Sequence, residues 1–517
     1  MGIPSYFVHI IKNHRNIIEN ISNIDIDNFF LDSNSIIYDC VYSFQKNNEQ
    51  FTNIDLFNSI LIKIAHYINN VKPRKLCYIA IDGVAPVAKL KQQRQRRYKN
   101  NFQNNYLNQK NTWNTTQITP GTSFMNELDI FMKNNLKSFL FENCNINIQK
   151  LNLIYSGSDK PGEGEHKIFN YIRNNNKTDV NAIYGLDADL IMLSMNHLTF
   201  NNQIYLYRET PHFISNIDSS LTPHKSYILN IPLLTKNIIY NLTDNTNESD
   251  IKYIKDYVFM FFLLGNDFLP HFPSLNIRSN GIDCLLNIYY NELYKGKKML
   301  IVNNKIIWKH VRILISKLHE YEYKNICNEY QNKLNKNKSY RYLNNDSENF
   351  INIPLLDLSA ETYINPHEKH WQKRYYKLLL NMNYNESNIK NLCLNYVEGL
   401  EWNIKYYSGN CTDWEWSYKY NYPPLFEDLI KYIPYFDTIY FENEIFKPIN
   451  PFLQLAYVIP KSQLSLLPKN IENKIKKDFI QCYPDNINFH WAFCRYFWES
   501  HPVLPDINIQ ELDNYIS

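Results

Sequence analysis

Apolar, β-rich runs alternate with stretches of helical spacing through the first half of the chain. Four of these runs end in acids or pass into glycine turns: "NFFLD" closing at Asp32, "LCYIAIDG" with Asp82 at its end, "LNLIYSG" running into "KPGEGEHK" (Lys160 to Lys167), and "AIYGLDAD" closing at Asp187 and Asp189. Ile168, Tyr171 and Ile172, after the glycine loop, recur at the spacing of one helix face. Buried strands alternating with helices predict an α/β fold with a largely parallel sheet flanked by helices. Ligands of such sheets bind outside the carboxyl ends of the strands, which is where these acids fall.

The pattern changes further along. "NLTDNTNESDIK" (241–252) reads as a loop, and the Asn- and Lys-rich "KLNKNKSYRYLNNDSENFIN" (333–352), with little periodicity, reads as a linker or mobile insertion. From about Tyr363 the chain turns aromatic, around "GLEWNIKYYSGNCTDWEWSYKYNYPP". We therefore expect an α/β region over 1–300, a connecting segment over 301–362, and a second, mostly helical region over 363–517 packed on the first.

Composition narrows the class. Hydrophobic residues make up 44% and charged residues 20% of 517, an ordinary globular balance. The net charge is only +3, so a nucleic-acid surface must be a local patch rather than a whole-molecule field. Nine cysteines lie scattered with no CxxC pair, which argues against a zinc site and a secreted disulfide framework and predicts a reduced, intracellular chain. The apolar run "YVFMFFLLG" is about half the length needed to span a bilayer. The N-terminus has no signal-peptide layout, and Tyr6 breaks the myristoylation pattern. With no basic run resembling a nuclear import tract beyond "KLKQQRQRR" (89–97), the cytoplasm is expected, with the nucleus as the alternative.

The acids carry the chemistry. Glu163 and Glu165 stand two apart where a helix should start, Asp187 and Asp189 two apart after a strand, and Asp32 and Asp82 each at a strand end. Asp267 follows an apolar helix stopped by Gly265. A single acid at a helix start can simply serve the macrodipole, but seven on one rim repel one another unless cations neutralise them. Oxygen ligands without His or Cys select hard ions such as Mg²⁺ or Mn²⁺. Two such ions roughly 4 Å apart suit phosphodiester hydrolysis.

After Asp82, Lys89, Gln93, Arg96 and Arg97 fall at i, i+4, i+7 and i+8 of a helix beginning near Pro86. So close to the acids, that face predicts a pocket for a terminal phosphate. Among the aromatics, Tyr38, Trp402, Trp414 and Trp416 are the ones considered for base stacking, with Tyr38, Trp414 and Trp416 preferred over Trp402.

At these residues the sequence resembles the 5′-to-3′ exoribonuclease family. The resemblance runs through "MGIPSYF", "IDGVAPVAKLKQQRQRR", "ITPGTSFM", "PGEGEHKI", "YGLDADLIML", "FLLGNDFLPHFPSL", "EGLEWNIKYYSGNCTDWEW" and "PINPFLQLAYVIPKSQLSLLP". It implies a PIN/flap-nuclease-like sheet and a monomeric, Mg²⁺-dependent enzyme that processively hydrolyses single-stranded RNA with a 5′-monophosphate to nucleoside 5′-monophosphates. It also implies that Asp32, Asp82, Glu163, Glu165, Asp187, Asp189 and Asp267 are the metal ligands and that Lys89, Gln93, Arg96 and Arg97 grip the 5′-phosphate. An upstream decapping or pyrophosphate-removing partner is implied as well. This chain departs from the pattern at Tyr38, where the family has a stacking histidine, and at Asn276, where it commonly has an aspartate. The sequence ends after the second core region, so scaffold roles of the family's long C-terminal extension are not expected. Two other readings use the same residues, a structure-specific 5′ nuclease on DNA flaps and an inactive RNA-binding scaffold.

Overall fold

The computed structural model describes residues 5–47, 49–108, 113–175, 178–212, 214–244, 248–341, 345–442 and 447–516. The first four residues of "MGIPSYF" and parts of the two polar stretches, 245–247 and 342–344, lie outside them.

The four runs that close on acids or glycine turns are four parallel strands: β2 (Asn28–Asp32), β3 (Leu76–Ala80), β4 (Asn152–Ser156) and β5 (Asn181–Tyr184). They sit in a seven-stranded sheet that the sequence reading saw only in part. β6 (Ile204–Glu209) adds to β5 in parallel, and β7 (Ser226–Asn230) and β1 (Ile18–Glu19) extend that edge antiparallel, in the order β1-β7-β6-β5-β2-β3-β4. All residues of β2, β3 and β5 are buried, as expected for strands covered by helices on both faces. The strand order reverses at β2, which pairs with β3 on one side and β5 on the other. That reversal opens a crevice at the carboxyl ends of β2 and β5. The registers Asp32↔Ala80, Leu31↔Tyr184 and Ala80↔Ser156 bring the four strand ends into one line.

The second region is helical and shares its core with the sheet. One continuous apolar cluster runs from Tyr6 through Phe261 and Trp402 to Phe493. The basic helix Val87–Tyr106 also anchors the C-terminal part: Arg94 donates to the carbonyls of Cys482 and Pro505, Lys91 to Tyr418 O, and Lys99 to Trp498 O and Ser500 O. Asn276 donates to Glu329 Oε2 at 2.9 Å, where an aspartate would face a second carboxylate.

The Asn- and Lys-rich stretch 333–352 corrects the linker reading. Residues to Ser339 complete the helix Trp308–Ser339, and Asp346–Ile351 is helical again. Trp308, Val311, Ile315, Leu318 and Ile326 form the buried stripe of the long helix. Its last turns are held by polar contacts instead: Lys333 is buried against Glu361 and donates to Trp491 O, and Asn337 donates to Leu355 O. Hydrophobic periodicity cannot register such anchoring. Removing one partner of a buried pair leaves the other charge uncompensated, so Lys333→Met should cost about 3–5 kcal/mol of stability. Urea unfolding measures this, and an unchanged midpoint would mean the stretch is not anchored as described.

Candidate metal and phosphate site

The carboxyl ends of the strands converge with the basic helix on one cleft. Its lining includes Asp32, Asp82, Glu163, Glu165, Asp187 and Asp267, six of the seven predicted acids, together with Lys89, Gln93, Arg96, Arg97 and Tyr38. Asp189 opens the helix Asp189–His197 and lies buried behind the rim.

The glycine loop explains how backbone and acids come so close. Gly162 has φ +101°, and Gly83 N donates to its carbonyl at 2.9 Å, tying the loop to the end of β3. Gly164 begins the helix Gly164–Asn175, and its N–H donates to Asp82 Oδ1 at 2.7 Å. A Cβ on Gly164 would stand 2.4 Å from Asp32 Oδ1, so any other residue here would push the Asp32 carboxylate aside. Asn34 grips Asp82 twice, donating from Nδ2 to Oδ2 at 2.6 Å and accepting the Asp82 N–H at 3.0 Å. Lys167 Nζ bridges the carbonyls of Ile81 and Gly157, fastening the ends of β3 and β4.

Lys89 stands among the acids. Its Nζ is 2.6 Å from Glu163 and 2.8 Å from Asp267. Burial alone would lower its pKa, but Asp267 and Glu163 hold it well above the ordinary lysine value. Burial likewise pushes Asp267 up, and Lys89 outweighs it and holds that carboxyl below the usual range. The other acids respond to crowding. Burial, then Asp82, Asp187 and Glu163, raise Asp32 well above its ordinary value. Burial and Glu163 push Asp82 up to about 6, and burial and Asp267 push Asp189 up to about 7. One lysine therefore leaves part of the carboxylate charge uncompensated.

This donor set fits a hard divalent cation. Asp189 Oδ1 is buried with no hydrogen-bond partner among the described residues. Glu163, Glu165 and His166 each offer a ligand atom within 4.8 Å of the others. Carboxylate oxygens dominate the cleft, as magnesium and manganese sites require.

The sequence reading missed His166 and Tyr406. Tyr406, from the helix Glu386–Ser408, donates its hydroxyl to Glu163 Oε2 at 2.8 Å and stacks on the His166 ring with centroids 3.7 Å apart. Burial, then Lys89, lower the His166 pKa, so its ring stays neutral. The only prior signal was the "YY" of the aromatic segment, which does not say which ring faces the acids.

The aromatic expectations divide. Tyr38 lines the cleft. Trp416 lies in the core of the helical region: it is 9% exposed, stacked on the buried Trp402 at 5.2 Å and pressed against Gly399. Trp414 is half-buried, and its carbonyl receives the Val87 N–H at the start of the basic helix; neither tryptophan is among the described residues of the cleft wall.

Comparison with known proteins agrees over nearly the whole chain. Residues 1–210 match the family description "XRN 5'-3' exonuclease N-terminus", and residues 249–363 and 358–516 match "Xrn1 helical domain". The chain is 25% identical to 5'-3' exoribonuclease 1 of Schizosaccharomyces pombe over 98% of its own length and 48% of that protein's. It is 27% identical to 5'-3' exoribonuclease 1 of Saccharomyces cerevisiae, covering 90% of this chain and 40% of the relative. For 5'-3' exoribonuclease 2 of Arabidopsis thaliana the identity is 24%, over 95% and 62%. The chain thus spans between two fifths and three fifths of the length of these relatives. Matched through both its sheet and its helical region, it belongs to the XRN family of 5′-3′ exoribonucleases.

Proposed function

We propose that this chain is a divalent-metal-dependent 5′-to-3′ exoribonuclease that takes single-stranded RNA by a 5′-monophosphate and releases nucleoside 5′-monophosphates. One observation carries the reading: six carboxylates, from strand ends, the glycine loop and the turn after Gly265, line the same cleft as the Gln93, Arg96 and Arg97 side chains.

The charges divide the labour. Arg96 and Arg97 present planar donors suited to a phosphate dianion, and Gln93 adds an amide. Asp32, Asp82, Glu163, Glu165, Asp187, Asp189 and Asp267 would hold magnesium or manganese, as a pair of ions. Such a pair supplies Lewis acidity to the scissile phosphate and lowers the pKa of the attacking water. Lys89 keeps Glu163 and Asp267 from repelling each other and stands between the acids and the phosphate grip. Tyr38, on the wall shared by grip and acids, stacks on the leading base. If the grip takes a monophosphate, as the family resemblance implies, a decapping or pyrophosphate-removing enzyme acts upstream, with the chain working as a monomer in the cytoplasm or, alternatively, the nucleus.

Degradation of one single-stranded RNA bearing a 5′-monophosphate, triphosphate or hydroxyl tests this directly. Only the monophosphate RNA should disappear rapidly, and EDTA should stop it; equal rates on all three ends, or preference for branched DNA, would reject the reading. Losing a charge-assisted grip costs about 1.5–3 kcal/mol. Arg96→Ala should therefore lower kcat/KM on monophosphate RNA by roughly 10- to 150-fold while leaving 5′-hydroxyl RNA nearly unaffected. Asp187→Ala should abolish hydrolysis with the circular dichroism spectrum retained, and near-normal turnover would remove the metal assignment. Mg²⁺ should raise the Tm of the wild-type protein, measured by scanning fluorimetry, and raise it less in Asp187→Ala.

A further inference from the structure

A second cleft lies against the first. Its volume is about 390 Å³, within the usual range of small-molecule sites. Tyr38, Arg96 and Arg97 line both clefts and so form their common wall. Beyond that wall the chemistry changes. Asn100, Asn101 and Asn104 continue the face of the helix Val87–Tyr106 that carries Gln93 and the two arginines, and Trp113 also lines this cleft. No aspartate or glutamate is among its described lining residues, so the guanidiniums are the only charges there.

The guanidinium of Arg97 is only partly used. Its Nη2 donates to Thr119 Oγ1, while Nη1 is buried with no partner among the described residues. Gln463, on the wall of the second cleft, likewise has Oε1 buried without a described partner. Both groups lack the hydrogen bonds that buried polar atoms normally find.

We propose that the second cleft binds a nucleoside 5′-monophosphate and is the exit station for the product of the acidic cleft. The inference rests on the exoribonuclease reading above. The phosphate stays on the guanidiniums of Arg96 and Arg97, which line both clefts, while the freed base moves across to the asparagine amides and the stacking face of Trp113 until the next 5′-phosphate displaces it. A nuclease that keeps RNA threaded through its entrance between cuts cannot release each nucleotide by the same opening. Charge sets the direction of the alternative route. Six carboxylates line the cleft where the product forms, whereas the adjoining cleft adds only neutral side chains to the two shared arginines. Tyr42, 56% exposed, lines that cleft and shows that its rim reaches solvent.

The test uses the whole chain in EDTA, titrated calorimetrically with AMP, and with adenosine as the control lacking phosphate. AMP should bind and adenosine should not. Asn104→Leu and, separately, Asn101→Leu should each weaken AMP binding roughly tenfold. In Mg²⁺ both variants should cleave 5′-monophosphorylated RNA at the wild-type rate in a single turnover, yet slow in multiple turnovers. Undiminished AMP binding by both folded variants would overturn the proposal, because the nucleotide would then sit in the acidic cleft. The two readings fail differently: AMP binding that is lost in the variants, in a protein that hydrolyses no RNA, would keep the nucleotide site and remove the exoribonuclease reading.

Discussion

The mutual repulsion of carboxylates gathered at one sheet rim governs the architecture around them. Six of them line a single cleft, where the strand ends and the glycine loop tied to β3 hold their backbones close together. Several local features answer that constraint. Gly164 brings a backbone N–H to Asp82 with no side chain to strike Asp32, Asn34 holds Asp82 from the other side, and Lys89 stands between Glu163 and Asp267. The remaining repulsion shows in the raised pKa values of Asp32, Asp82 and Asp189. A site in that condition gains free energy from a divalent cation, because the ion removes a penalty the fold has already incurred.

The basic helix Val87–Tyr106 connects this constraint to the rest of the molecule. One of its faces carries Lys89, Gln93, Arg96 and Arg97 into the cleft, and Arg94, Lys91 and Lys99 spend their charges on carbonyls of the second region. Positive charge on this helix therefore has two unrelated uses. Alanine at Arg94 removes hydrogen bonds that hold the C-terminal segment, whereas alanine at Arg96 removes a charge that lines the cleft. A count of basic residues would treat the two as equivalent.

The sheet rim was legible because its signal is local. Strands buried on both faces read as apolar runs, and an acid at the end of such a run is conspicuous; Asp32, Asp82, Asp187 and the Glu163–Glu165 pair were found in this way. β1 and β6 end in Glu19 and Glu209, but β1 is only two residues long and polar Arg208 interrupts the run of β6, while β7 ends in Asn230; all three escaped notice, although "QIYLYRE" is strand-like in composition. The end of the helix Trp308–Ser339 escaped for a different reason. Its anchor is a buried lysine–glutamate pair, which composition reads as solvated charge. The burial of Trp416 was not legible because an aromatic-rich segment gives no indication of which rings interlock, and its neighbours Trp402 and Gly399 lie one helix away in the fold. Information of that kind resides in pairs of residues, and a single sequence does not display pairs.

Tyr406 is the sharpest instance and bears on why the helical region is attached at all. Its hydroxyl orients one oxygen of Glu163, leaving the other to Lys89, so each oxygen of that carboxylate has an assigned neighbour. The ring is itself fixed between His166 on one side and Trp402 and Phe268 on the other. Phe268 adjoins Asp267, and Trp402 is stacked on Trp416, so the packing of the aromatic segment passes directly into the positions of Glu163 and Asp267. The sheet brings the acids together, but a carboxylate on a loop can rotate. What limits that rotation at Glu163 is a tyrosine more than two hundred residues away in sequence. The second region therefore contributes to the geometry of the acidic site as well as covering it, and Trp402 and Trp416 are part of that packing.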